Sequence, residues 1–130
     1  MINNFQDKTD NEIAKMWIEY SSDTKKNKEL FNYWEYVNNL INNDSNKSWQ
    51  LILTLIKYSN SDQILANIAA GPLEDFINKY YKDFYSKIDN QLRIDSKFRK
   101  CITGVWLNKN LSKDFRNMIN KYTKTLKDSL

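Results

Sequence analysis

The sequence predicts an all-α fold: a single compact domain over residues 1–130, built from seven to eight short helices, with stacked HEAT-like helical hairpins as one arrangement it allows. Three observations predict this. Apolar residues recur at i, i+3, i+4 and i+7 along most of the chain, and no stretch alternates as a strand would. Turn residues are scarce, with 2 Gly and 1 Pro in 130 residues, too few for the hairpins of a sandwich or barrel. Large rings are plentiful, with 4 Trp, 8 Tyr and 6 Phe, which gives the chain a core to build and excludes a disordered one.

Each helix follows from its own residues. Thr9 and Glu12 are spaced as a capping box, whose hydroxyl and carboxylate satisfy free amides at a helix start. Ile13, Met16, Trp17 and Tyr20 then form one stripe, which Ser21-Ser22-Asp23 ends. A second helix near Asn27 to Ile41 places Leu30, Trp34, Val37 and Ile41 on one face. After the polar break Asn42 to Asn46, a third helix runs from Lys47 to Tyr58. Trp49, Ile52, Leu53 and Ile56 lie on one side and Leu51 and Leu55 on another, so it is expected to be central. Ile64, Leu65, Ile68 and Ala69 mark a short fourth helix.

The segment Ala70-Gly71-Pro72-Leu73-Glu74-Asp75 is the best punctuated point in the chain. Gly71 suits a left-handed residue ending one helix. Pro72 suits the first position of the next, and Glu74 and Asp75 the positive end of its dipole. Leu73, Phe76, Ile77, Tyr80, Phe84, Ile88 and Leu92 continue the apolar face to Ile94, as one helix or as two broken near Tyr81. Asp95 caps the next helix, with Phe98, Ile102, Val105 and Trp106 expected inward. Ser112 caps the last, with Phe115, Ile119, Tyr122 and Leu126 inward.

Composition removes several function classes. With no His, histidine-based zinc sites, Ser-His-Asp and Cys-His nucleophiles and histidine acid–base chemistry are excluded. The single Cys101 forms no internal disulfide, and a reducing compartment is the default. Neither a signal peptide nor a membrane-spanning run is visible, so a cytoplasmic protein is expected. The net charge is +4, unevenly spread. Residues 1–60 carry seven bases against eight acids, and the tail from Lys97 nine bases against Asp114 and Asp128.

Trp49, Leu53, Leu65, the run Ala69 to Phe76, then Asp95-Ser96-Lys97-Phe98-Arg99 and Gly104-Val105-Trp106 together form a pattern of W, AGPLED, D-x-x-F-R and G-V-W. Over roughly Leu30 to Leu107 this resembles a family of small bacterial proteins known only as a domain of unknown function. The resemblance implies an all-helical fold, no established activity and no catalytic residues to transfer. In such proteins a Gly often follows the PLED helix and a Pro the Asp of D-x-x-F-R. Here Tyr80 or Tyr81 and Ser96 stand in those places, which leaves the break near Tyr81 open.

Four constellations can carry function, each beside a plainer reading. Glu74 and Asp75 present carboxylates to a cationic partner, or simply compensate a helix dipole. A metal would need further oxygens from Asp62, Asp83 or Asp89, and no metal or cofactor is expected. Arg99, Lys100, Lys113 and Arg116 offer a phosphate-tracking surface, with Tyr122 stacking on bases, or a solvated face; only 3 of the 20 bases are Arg. All four Trp fall on inner stripes, whereas Tyr33, Tyr36, Tyr58, Tyr81 and Tyr85 fall outside them. Tyr81, Asp83 and Tyr85 with Glu74 and Asp75 make one aromatic and acidic patch, or close the outer layer of the bundle. Cys101 lies beside Arg99 and Lys100 but on the inner side of its helix, as an inert thiol would.

The expected function is a small protein-binding module without catalysis, most concretely an immunity protein that occludes a cognate bacterial toxin such as a nuclease. Its contacts would be Glu74, Asp75, Tyr81, Asp83 and Tyr85. The alternative is a nucleic-acid-binding or regulatory protein using Arg99, Lys100, Lys113 and Arg116.

Overall fold

A computed structural model describes residue 5, residues 7–22 and residues 27–128, with side chains through residue 124. The elements are α1 Asp10–Ser22, α2 Lys28–Asn43, α3 Ser45–Tyr58, α4 Asp62–Ile68, a π-helical turn Ala69–Leu73, α5 Glu74–Tyr80, α6 Tyr85–Ile94, α7 Ser96–Ile102 and α8 Lys113–Asp128. No strand occurs among the described residues. The expected inward Leu126 and the helix-ending Asp23 lie outside the residues whose side chains are described.

Helix starts follow the polar residues that the sequence supplies. Glu12 accepts from the Thr9 N–H at 3.0 Å while Thr9 Oγ1 accepts from the Glu12 N–H at 3.2 Å. The Thr9 N–H and the Thr9 hydroxyl, both donating to the Glu12 carboxylate, hold it below its ordinary range. Asn27, Asp44, Ser61, Asp95 and Ser112 each accept from a first-turn amide, worth about 1 kcal/mol apiece. Asp44 joins two helices, since its own N–H donates to the Leu40 carbonyl at 2.8 Å.

Helix α3 is central, as its two apolar sides predict. Trp49, Leu51, Ile52, Leu55 and Ile56 are all buried, and α3 touches α1, α2, α4, α5 and α7. Helices α1, α2 and α3 pack mutually, as do α6, α7 and α8. Trp49 of α3, Phe76 of α5, Phe84 and Phe98 of α7 join the two groups, with ring centroids 4.9–5.8 Å apart. The chain breaks between α5 and α6 over residues 81–84, so Pro72 to Ile94 is not one helix.

Three expectations are corrected. Gly71 does not end a helix in a left-handed conformation, and Pro72 does not begin one. Ile68, Leu73 and Glu74 all keep right-handed helical dihedrals, and the chain passes from α4 to α5 through the π turn. In an α-helix the Pro72 ring would meet the carbonyl four residues back, and Pro has no N–H to give. A wider π turn relieves both. Trp106 is not inward but 78% exposed; α7 ends at Ile102, so helical spacing no longer governs Trp106, and Val105 is only half-buried. Trp34 lies outside the core at 39% exposed, because its ring stands on the wall of a groove. Trp17 and Trp49 are buried, as expected.

Candidate functional site

The groove opens between α1, α2, α4 and the π turn and has a volume of about 810 Å³. Its aromatic walls are Trp17 and Tyr20 from α1 and Trp34 from α2, and its polar walls include Asn38, Gln63, Asn67 and Asp75. Ala70, Gly71 and Pro72 line it directly. A Cβ added at Gly71 would meet nothing within 4 Å, so this turn leaves a notch rather than a contact. One polar wall is fixed by hydrogen bonds: Gln63 Nε2 donates to Asn67 Oδ1 at 2.9 Å, and Asn67 Nδ2 donates to Ser21 Oγ at 2.6 Å. Of the aromatic wall residues, Trp34 stacks on Phe31 at 5.3 Å and Tyr20 meets Phe31 edge-on at 5.9 Å. Phe31, like Trp34, is 39% exposed.

The five acidic and aromatic residues expected to form one patch take separate duties. Asp75 lines the groove. Partial desolvation there, with Glu74 beside it, raises its carboxyl above the usual range. Glu74 instead accepts from the Trp106 N–H at 2.9 Å. Tyr81 and Asp83 line a second, smaller hollow with Asn108 and Leu111. The rings of Tyr81 and Tyr85 pack on Phe115 at 4.9 and 5.8 Å.

Glu74 and Asn78, one turn apart on α5, clamp the loop that follows α7. Asn78 Oδ1 accepts from the Asn108 N–H at 3.1 Å, and its Nδ2 donates to the carbonyls of Glu74 and Trp106 at 3.0 and 3.4 Å. Gly104 lets this loop lie close, since a Cβ there would stand 3.1 Å from Ala69 Cβ. Asn78→Ala is expected to cost about 1 kcal/mol and to accelerate hydrogen exchange at the Trp106 and Asn108 amides. Exchange in α3 should stay unchanged, as hydrogen-exchange mass spectrometry or NMR would read.

Three of the four basic residues singled out for phosphate contact, Arg99, Lys100 and Arg116, are bonded within the chain itself. Arg99 Nη1 donates to the Leu92 and Arg93 carbonyls at 2.7 and 3.2 Å. Arg116 donates to the carbonyls of Leu111 and Asn108. Lys100 pairs with Asp62 at 2.7 Å, and Lys97 donates to the Lys57 and Ser59 carbonyls at the C-terminal end of α3. Lys113 is exposed on the first turn of α8. The Tyr122 hydroxyl donates to Asp89 at 2.7 Å. Cys101 is buried and its thiol donates to the Leu65 carbonyl at 3.5 Å; burial pushes it up to about 12, which denies it a thiolate at neutral pH. Among the described residues no group of three carboxylates or cysteines could hold a metal ion, and no helix is long and apolar enough to cross a membrane.

The groove was only half legible in the sequence. The Gly71-Pro72 step marked one of its walls, but nothing local says that Trp17, Trp34 and Asn67 converge on it. The fold places the chain among small all-helical domains. More particularly, residues 20–126 match the family model of DUF6869, a family of unknown function, and the chain belongs to that family. No curated protein and no solved structure matches it.

Proposed function

We propose that this protein is a small non-catalytic docking module, and most concretely a cytoplasmic immunity protein that binds a cognate bacterial toxin and occludes its active site. The observation that carries this reading is the stacked pair Phe31 and Trp34, exposed beside a preformed groove. Large rings held rigid in water bury much area on docking at small entropic cost, which is why they anchor interfaces. Such a surface occludes without reacting.

Rings rather than a field of carboxylates would make the contact. Glu74 is spent on the Trp106 amide, and the sequence from Lys97 onward is strongly basic. A nucleic-acid reading is not favoured, because Arg99 and Arg116 give their donors to backbone carbonyls, and arginine is the residue that forks onto phosphates.

The test is calorimetric titration with the toxin domain encoded by a neighbouring open reading frame. A one-to-one complex that persists from low to high salt is expected. Absence of binding overturns the reading. So does a preference for nucleic acid that weakens by orders of magnitude between about 50 and 200 mM salt.

A further inference from the structure

We propose that the groove between α1, α2, α4 and the π turn receives one arginine side chain presented by the partner protein. The guanidinium would lie against the Trp34 ring, with Asp75 as its counter-ion. This deepens the docking reading and rests on it.

Charge is the first argument. The chain holds 20 basic residues, yet none is among the groove's described lining, whose single charged side chain is Asp75. An anion finds no cationic partner there, and a cation finds a carboxylate. Asp75 makes no hydrogen bond or ion pair within the described residues, so its carboxylate is available to one. It stands exposed on the groove wall, open to an incoming cation.

Shape and chemistry are the second. A planar cation beside an indole ring gains cation–π attraction, and a guanidinium does so while still donating sideways to a carboxylate. Trp34 supplies the ring and is held in place by its stack on Phe31. Asn38 adds an amide on the groove wall. The volume of about 810 Å³ exceeds one side chain, so flanking backbone enters too. Trp17 lines the groove and is 3% exposed, its buried indole N–H having no partner among the described residues. The missing side chain at Gly71 leaves room for the entering chain.

The probe is N-acetyl-arginine methylamide, titrated into the full protein and followed by the tryptophan indole N–H resonances. Saturable shifts at Trp17 and Trp34 are expected, with millimolar affinity for so small a fragment. The matching norleucine amide should give none, and the lysine amide a weaker response. Asp75→Asn should weaken arginine-amide binding by about two- to fivefold while leaving the melting temperature nearly unchanged, because Asp75 makes no hydrogen bond or ion pair within the described residues. Unmoved indole resonances, an equal response to norleucine, tighter binding of a neutral sugar such as maltotriose, or a neutral Asp75→Asn each overturn the assignment. The two readings fail separately. If Asp75→Asn binds the toxin domain as wild type does while Trp34→Ala does not, docking stands and the arginine pocket falls. If the arginine amide binds but no toxin does, the pocket stands and the immunity reading falls.

Discussion

Phe76→Ala is expected to lower the unfolding free energy by about 3–5 kcal/mol, the range for removing a buried ring. Phe76 is fully buried and sits where the two helix groups meet. Its ring lies 5.4 Å from Trp49, 4.9 Å from Phe84 and 5.0 Å from Tyr80. Truncation therefore opens a cavity faced by three rings, each held by its own helix or turn and poorly able to collapse into it. The aromatic geometry adds to the area lost. Tyr80 makes the damage spread, because its hydroxyl donates to the Ile41 carbonyl at 2.5 Å and thereby ties α5 to the end of α2. Urea denaturation followed by circular dichroism would show the midpoint fall. Ile94→Ala, at a side chain 67% exposed, should move it by no more than about 0.5 kcal/mol. A Phe76→Ala effect below about 1 kcal/mol would mean that this junction does not hold the halves together.

Trp34→Ala is expected to do the reverse. Its ring contributes little to the core, so stability should change by less than about 1 kcal/mol. Affinity for the partner should fall by about 2–4 kcal/mol, the loss typical of an aromatic interface anchor, or roughly 30- to 1,000-fold. Two features favour an effect at the upper end: Trp34 belongs to the groove wall, and Phe31 stacks on it. Phe31→Ala should lose less, since it removes support for the anchor rather than the anchor. Calorimetry with the toxin domain measures affinity, and thermal denaturation of the same samples measures stability. Equal affinities for wild type and Trp34→Ala would remove this face from the interface.

Helix positions were legible because they are local. Thr9 with Glu12, Asp95 and Ser112 each satisfy amides within three residues, and that chemistry is written in adjacent letters. The central role of α3 was legible because Leu51 and Leu55 make a second apolar side that only burial all round can use. Periodicity failed where something distant decides. Trp34 shares a stripe with Leu30 and Val37, yet a stripe is buried only as far as neighbours cover it. Trp106 lies beyond the last turn of its helix.

Polar residues misled for the same reason. Glu74 reads as a dipole partner but bonds an amide 32 residues away. Arg99 and Arg116 read as surface charge but close backbone carbonyls. The Gly71-Pro72 step reads as a helix junction because the usual roles of both residues point that way. A π turn meets the same constraint on Pro without ending the helix, and local preference does not choose between them. The groove depends on that choice.

The central claim is that this surface acts by occupying a partner. The most direct measurement is survival of bacteria that express the neighbouring toxin domain together with this protein. Wild type should restore growth, Asn78→Ala should restore it too, and Trp34→Ala, accumulated to the same level and equally folded, should not. Killing in the presence of wild type, or full protection by Trp34→Ala, would contradict the account.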